Sequence, residues 1–244
     1  MRVILTVAAA LALAGCGGEA ASGGNATASA PVAGTPAPAG QNWTEVVSKT
    51  PEGGYRMGNP DAPIKLIEYG SRTCPTCGLF GREGMPKLAE QYVAKGNVSF
   101  EYRDFMVHGA PDLAATLLGT CVPDANFFPV LEAMFAAQDT YLQKLEQAGQ
   151  PFQQGLQGKA PGQIATAWGE QMGLIDFVKQ RGLPEAQARA CLTDTARIDA
   201  LVKVTDEGAK SGKVTGTPTF LLNGERVEAA TWEQLEPALK AAGA

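Results

Sequence analysis

The sequence predicts an α/β protein in which a β-α-β unit and a later β-β-α unit are separated by a long run of helices. Ile64–Tyr69 is an apolar run typical of a buried strand, and Val98–Phe105 is a second such run after a helical stretch. Residues from about 108 to 212 show helical apolar spacing and no strand pattern. Asn223-Gly224, which follows a third apolar run, is typical of a type I′ hairpin turn. A β-α-β unit implies a parallel sheet.

Two cysteines separated by two residues directly follow the first core strand. Pro75 suits the first position of a helix, so Cys74 is expected at the N-cap. Unpaired backbone N–H groups and the helix dipole favour a thiolate at that position. Cys77 lies about one turn further on, within reach for a reversible disulfide. The spacing alone also fits half a zinc site or a structural pair, and the strand–turn–helix context favours redox chemistry.

Other elements are expected from local patterns. Trp43–Val47 fits a short edge strand, and the helix after the cysteine pair is expected to kink at Pro86. Gln147–Gly162 is rich in Gln and Gly and is predicted to be a loop between helices of the insertion. Thr231, with Gln234 three residues later, forms a capping-box pattern for a final helix.

The first residues indicate export from the cytoplasm. The apolar run from Val3 to Ala14 is too short to span a bilayer as a mature helix. It ends in Leu13-Ala14-Gly15-Cys16, which resembles the bacterial lipobox. That resemblance implies a signal peptide over residues 1–15, with cleavage before Cys16 and lipidation of Cys16. The alternative is an ordinary secretory signal with a cysteine near the cleavage site.

The segment after the lipobox has a different composition from the rest of the chain. Gly17–Gln41 is nearly all Gly, Ala, Ser, Thr and Pro, with no apolar periodicity. Residues 16–41 are therefore predicted to be a lipidated cysteine followed by a disordered tether, with a folded domain over 42–244.

The chain has five cysteines, and four remain if Cys16 carries lipid. In an oxidising envelope, Cys121 and Cys191 can form a structural disulfide. The alternatives are two buried free thiols or a second redox pair. Neither cysteine has a C-x-x-C partner or an obvious activating neighbour, which favours the structural bond.

Composition and charge indicate a folded chain and give no sign of a nucleic-acid partner. With 244 residues, 45% of them hydrophobic, the chain can bury a full core. The net charge is −5, without a long basic run, so nothing indicates nucleic-acid binding. A monomer is the default expectation.

The C-x-x-C after the first strand, together with Gly216-Thr217-Pro218-Thr219-Phe220 before the hairpin, resembles the thioredoxin fold. The large helical insertion is similar to that of the DsbA family of bacterial envelope thiol–disulfide oxidoreductases. The resemblance covers about residues 43–239. It implies a thioredoxin-like fold with the insertion, about 108–212, between the β-α-β and β-β-α halves.

The resemblance also assigns roles to the site residues. It implies that Cys74 is the exposed nucleophile and Cys77 the buried resolving cysteine. Pro218 would be the family's cis-proline facing the disulfide, which fits the near restriction of cis bonds to X–Pro. Thr217 would present its backbone to an extended substrate segment. Pro75 and Thr76 form the dipeptide between the cysteines.

Glu68, six residues before Cys74, resembles the family's acidic residue beneath the active site, which helps to move the proton of the buried cysteine. A carboxylate in an apolar strand is unfavourable unless it is paired or protonated, which makes a functional role plausible. The alternative is that Glu68 pairs with a lysine such as Lys65 or points to solvent.

The dipeptide departs from the strongest oxidants of the family, which have Pro-His. The chain's only histidine is His108, expected to be a capping or core residue near the first helix of the insertion. Thr76 can offer at most a hydroxyl hydrogen bond. The pKa of Cys74 is therefore expected within the range of about 3.5–7.5 for activated cysteines, of which DsbA itself defines the lower limit, but not at that limit.

The resemblance implies an envelope enzyme that oxidises cysteine pairs of exported proteins without a metal or organic cofactor. A membrane redox partner, DsbB-like or DsbD-like, would reset it, and its location would be the periplasm, lipid-anchored to the inner or outer membrane. A disulfide reductase or isomerase of the same fold is the main alternative. A Cu- or Zn-handling lipoprotein that uses Cys74 and Cys77 as soft ligands is another. A non-enzymatic binding module is a third, against which the intact C-x-x-C argues.

Overall fold

The structure, a computed structural model, describes residues 30–244. Its centre is one six-stranded sheet with the order β1-β2-β4-β3-β5-β6. The strands are β1 (Val47–Lys49), β2 (Tyr55–Met57), β3 (Ile64–Gly70), β4 (Val98–Asp104), β5 (Thr219–Leu222) and β6 (Glu225–Val227). Strands β3 and β4 are parallel along their whole length, and the other neighbours are antiparallel. The predicted β-α-β unit and hairpin are confirmed.

Ten α-helices lie in the described part of the chain. They are α1 (Pro75–Glu83), α2 (Met85–Gln91), α3 (Ala110–Gly119), α4 (Phe127–Ala136), α5 (Gln138–Gln154), α6 (Pro161–Gln171), α7 (Leu174–Lys179), α8 (Glu185–Thr193), α9 (Thr195–Lys210) and α10 (Trp232–Ala241). Helices α1 and α2 connect β3 to β4, and α3–α9 form the insertion. The fold is therefore thioredoxin-like with a helical insertion, as the sequence predicted.

The sheet separates two apolar regions. Alternation along β3 places Leu66, Glu68 and Gly70 on one face and Ile67 and Tyr69 on the other. The first face belongs to the main core, which also contains side chains of α1, α2, α4 and α10. The second face packs with β5 and with the loop after β4. The insertion has a separate core of its own.

A disulfide joins Cys121, just after α3, to Cys191 in α8, within the core of the insertion. The Cα atoms are 6.2 Å apart, inside the usual range for a bridged pair. The predicted pairing is confirmed.

The helix after the cysteine pair differs from the prediction. In place of a single helix kinked at Pro86, two helices meet at Gly84, and Pro86 lies in the first turn of α2. A proline is tolerated there because its missing N–H has no intrahelical partner at a helix start. The expected capping box is also altered, since Gln234 accepts from the Ala230 N–H and the Thr231 side chain makes no cap bond.

Two other local predictions were wrong, and one strand was missed. Trp43–Glu45 is a turn of 3₁₀ helix, and the edge strand follows it at Val47–Lys49. The three-residue β2 was missed because it is too short to show an alternating pattern. Within the predicted loop Gln147–Gly162, α5 continues to Gln154 across a break at Gly149, whose φ of 66° is in the left-handed region.

The predicted tether is wrong at its C-terminal end. Residues 30–41 lie against the folded body, where Val32 N–H donates to Gly243 O at 2.8 Å and Trp43 Nε1 donates to Thr35 O at 2.6 Å. Val32 and Ala37 pack on the main core. Composition did not reveal these contacts because most of them involve backbone atoms. The signal peptide over 1–15, Cys16 and the rest of the tether lie outside the described residues.

Candidate active site

Cys74 is the N-cap residue of α1, as predicted, with extended backbone angles (φ −83°, ψ 119°) and Pro75 at the first helical position. The loop from Ser71 to Cys74 joins the end of β3 to this helix. Cys77, one turn later, is fully buried. Cys74 is not exposed as expected: it is buried as well, with 7% of its surface accessible, because the proline loop lies against it. Both cysteines are free thiols, so the structure represents the dithiol form.

The pKa values of the two thiols are moved in opposite directions. A hydrogen bond from the Cys77 thiol is the largest factor that lowers the pKa of Cys74, to about 5, against the opposing effect of burial. The Thr217 side chain and the backbone N–H groups of Cys77 and Thr76 lower it further. Burial, followed by the bond to Cys74, raises the pKa of Cys77 well above its ordinary value. At neutral pH the pair therefore holds one thiolate, on Cys74, inside the predicted range and above its lower limit.

The proline loop lies against this thiolate. The Thr217–Pro218 peptide bond is cis, as the resemblance implied, and Cys74 Sγ is 3.4 Å from Thr217 O. The buried Thr217 hydroxyl has no hydrogen-bond partner in the dithiol form. A thiolate at Cys74 supplies the acceptor that this hydroxyl lacks. Thr76 helps to lower the pKa of Cys74 through its backbone N–H. The sequence had suggested at most a hydrogen bond from its side-chain hydroxyl.

Glu68 is 1% exposed and faces the main core in register with Tyr102 of β4 and Phe220 of β5. The alternative of pairing with Lys65 is wrong, because Lys65 Nζ donates to Pro60 O. Glu68 Oε1 has no hydrogen-bond partner in the described structure. Burial, then the charge on Cys74, raises the pKa of Glu68 well above its ordinary value. The fold therefore favours the protonated carboxyl, which can hold a proton beneath the cysteine pair.

We expect Glu68→Gln to stabilise the oxidised protein at neutral pH. A raised folded-state pKa means that the folded chain binds more protons than the unfolded chain above the unfolded value of about 4.3. Stability is then lost as pH rises from that value, by at most about 1.4 kcal/mol per pH unit. In urea unfolding from pH 4 to 8, the free energy of unfolding of the variant should increase relative to that of wild type as pH rises. A constant difference between the two proteins would mean that Glu68 is ionised in the fold.

A buried ion pair next to the nucleophile was not predicted. Arg72, which is 0% exposed, donates through Nε and Nη2 to the two carboxylate oxygens of Asp104, at 2.8 and 3.1 Å. Thr116 Oγ1 donates to the same carboxylate, and the guanidinium lies 5.2 Å from the ring centre of Phe127. The parallel pairing of β3 and β4 could have indicated this ion pair, because the two strands end at the same edge of the sheet and bring Arg72 and Asp104 close together. The pair fixes the loop that carries Cys74.

Asp112 of α3 anchors the other side of the loop. It is buried and accepts hydrogen bonds from Ser71 Oγ at 2.7 Å and from Thr73 Oγ1 at 2.6 Å. It also accepts from the backbone N–H of His108 at 2.8 Å, at the start of the insertion. The His108 side chain is 49% exposed and contacts Thr73 Oγ1 through Nδ1, so it is not a core residue.

A cavity of about 700 Å³ opens beside the nucleophile, between the start of α1 and the insertion. Thr73, Pro75 and His108 line its active-site end, and most of the remaining wall is apolar side chains of α3, α5 and α6. Its size and mixed lining are within the range of pockets that bind small molecules or segments of polypeptide.

Within residues 30–244 there is no cluster of three or more His, Cys, Asp or Glu side chains arranged to hold a metal ion. In the same part of the chain, no helix is both long enough and apolar enough to cross a membrane.

A low-pKa cysteine at a helix N-terminus, a buried partner cysteine and a facing cis-proline on this sheet define a thioredoxin-like dithiol site. A family model described as thioredoxin matches residues 50–241, and the chain belongs to that family. The crystal structure of protein-disulfide isomerase from Novosphingobium aromaticivorans is similar, with a TM-score of 0.72, 28% identity and coverage of 75% of this chain and 94% of that chain. Wolbachia pipientis alpha-DsbA1, with a TM-score of 0.60, 21% identity and coverage of 76% and 88%, shares the fold.

Among curated proteins, a relative from Rickettsia bellii that is named as a protein-disulfide oxidoreductase is 25% identical over 185 residues. The match covers 75% of this chain and 62% of the relative, so the chain spans about three fifths of the relative's length.

Proposed function

We propose that the protein is a thiol–disulfide oxidoreductase that oxidises cysteine pairs of other proteins through Cys74 and Cys77. The observation that carries the proposal is the opposite shift of the two thiol pKa values at one site. Cys74 is a good leaving group because its pKa is about 5. The names of the similar proteins, protein-disulfide isomerase and protein-disulfide oxidoreductase, support the same reaction class.

The reaction begins from the Cys74–Cys77 disulfide. A substrate thiolate attacks the Cys74 sulfur, the bond between the two cysteines breaks, and Cys77 leaves with the electron pair and takes a proton. The neutral Glu68 beneath the pair is placed to supply that proton. A second substrate thiolate then attacks the substrate sulfur of the mixed disulfide and releases Cys74 as a thiolate. The substrate dithiol loses two electrons and the enzyme gains them.

The proposed clients are cysteine-containing exported proteins, whose segment next to the reacting cysteine would lie across Thr217 and the cavity beside Pro75. The proposed location is the periplasm, with lipid on Cys16 anchoring the chain to the inner or outer membrane. The lipobox pattern supports this anchor, and the Cys121–Cys191 disulfide supports an oxidising compartment. A membrane redox partner, DsbB-like, would accept the electrons from the reduced enzyme.

The second candidate is a disulfide isomerase or reductase, served by a DsbD-like partner. The name of the Novosphingobium structure, 28% identical to this chain, favours it. The two candidates use the same residues and differ in which redox state of the cysteine pair is maintained.

The equilibrium reduction potential of Cys74–Cys77 tests the proposal, measured on the full chain in detergent against glutathione. We expect a value toward that of DsbA, which is about −120 mV, because the thiolate stabilises the reduced form. A value at or below about −230 mV would favour the reductase or isomerase. The Cys77→Ala variant, which cannot form the pair, is the control. The absence of any reversible couple in the wild type would contradict both candidates.

A further inference from the structure

The loop that carries Cys74 is held by a side chain of the insertion. Gln138, the first residue of α5, donates through Nε2 to Cys74 O at 2.9 Å and to Arg72 O at 3.1 Å. The Gln138 side chain is 1% exposed, so solvent cannot replace these bonds. Tyr141, one turn further along α5, donates its hydroxyl to the same Arg72 carbonyl. One helix of the insertion therefore binds the backbone on both sides of Thr73.

The first turn of α1 is shaped to receive this amide. A Cβ atom added at Gly78 would overlap the Oε1 atom of Gln138. Only glycine allows the amide to lie this close to the helix. The Cys74 carbonyl also accepts the N–H of Gly78 at 3.0 Å, which is a helical bond of the first turn of α1. Gln138 thus contacts the start of α1 at the residue that supplies the nucleophile.

The position of the Cys74 backbone matters because the thiolate depends on its surroundings. The N–H groups of Thr76 and Cys77 stabilise the sulfur only while Cys74 keeps its N-cap geometry. Gln138 does not bind the sulfur and adds no charge. Its effect on the sulfur can therefore come only through the backbone of the loop.

We propose that Gln138 is a positioning residue for Cys74, through which the helical insertion holds the nucleophile at the N-terminus of α1. This inference deepens the proposed function, on which it rests, because it concerns the reactivity of the same cysteine. It also gives the insertion a role in the chemistry of the site, in addition to lining the cavity beside it.

The test is a titration of the Cys74 thiolate by its ultraviolet absorbance in the full reduced chain, for wild type and for Gln138→Met. Methionine has a similar length and no amide donor. We expect the pKa of Cys74 to rise by about one pH unit in the variant, which is a tenfold loss in the thiolate-to-thiol ratio at any given pH. The reduction potential of the pair should fall with it.

A second variant, Gly78→Ala, displaces the amide without removing it. If Gln138→Met does not fold, Gly78→Ala still tests the proposal, because alanine favours a helix more than glycine does. The pKa of Cys74 should rise here as well.

The matched control is Asn59→Leu at the opposite end of β3. Asn59 is also a buried amide, 4% exposed, which donates to a backbone carbonyl, that of Gly96, at 3.1 Å. We expect this variant to lose stability and keep the wild-type pKa of Cys74. If Gln138→Met and Gly78→Ala behave in the same way, the role of Gln138 is structural only and the proposal is overturned. A wild type without a low-pKa thiol would instead contradict the proposed function.

Discussion

The reduced protein should become more stable relative to the oxidised protein as pH rises from 5 to 8. The pKa of Cys74 is lowered to about 5 in the fold, below the value of an unfolded cysteine. Between these two values the unfolded chain binds more protons than the folded one, so the free energy of unfolding of the reduced form rises with pH. The slope approaches about 1.4 kcal/mol per pH unit, which gives about 3 kcal/mol at pH 7.

Urea unfolding of both redox forms from pH 4 to 8 measures this difference. Glu68 is present in both forms, so comparing the forms reduces its contribution. The reduced Cys74→Ala variant, which has no disulfide form, should lack the rise seen in the reduced wild type. The same 3 kcal/mol raises the reduction potential by about 60 mV over a pair with ordinary thiols. A difference that does not change with pH would show that Cys74 is not a thiolate in the fold.

Asp104→Asn should be strongly destabilising, by about 3–5 kcal/mol, because it leaves the guanidinium of Arg72 buried without a countercharge. Replacing both partners with apolar residues, as in Arg72→Met with Asp104→Leu, should cost less than the sum of the single changes. The free energy of unfolding of the two single variants and the double variant measures this coupling.

A surface pair provides the comparison. Lys203 and Glu207 are largely exposed on α9, with nitrogen and oxygen 3.5 Å apart. Glu207→Gln should change stability by less than about 1 kcal/mol because solvent screens the pair. If the effects at Arg72 and Asp104 simply add, the two side chains do not act as a pair.

Local sequence was sufficient wherever neighbours in the chain decide the structure. The hairpin follows from Asn223-Gly224, whose φ values of 51° and 87° are those that this dipeptide favours. Cys74 is an N-cap because Pro75 starts a helix after a strand and a short loop. The boundaries of the insertion were predicted because helical spacing differs from strand alternation over about 100 residues.

What local pattern could not provide was the set of side chains that surrounds the nucleophile. Asp104, Asp112 and Gln138 lie 32 to 66 residues from their partners in the loop. Each is an ordinary polar residue in its own segment, and only packing buries it against the loop. The same reason explains the chain before residue 42. A composition rich in small residues and proline, without apolar periodicity, predicted disorder, whereas Val32 contacts Gly243, Thr35 contacts Trp43, and Val32 and Ala37 pack on the main core.

The sequence by itself thus determined the order of strands and helices and the cysteine pair at a helix start, because each depends on a short motif and its spacing. That Pro218 faces this pair followed from the resemblance to a known family. Only the tertiary structure decided the protonation of the site. The pKa shifts of Cys74, Cys77 and Glu68 arise from burial and from groups that the fold brings together. Desolvation and hydrogen bonding depend on the distances between atoms in space, and these are set when the insertion closes over the loop before α1.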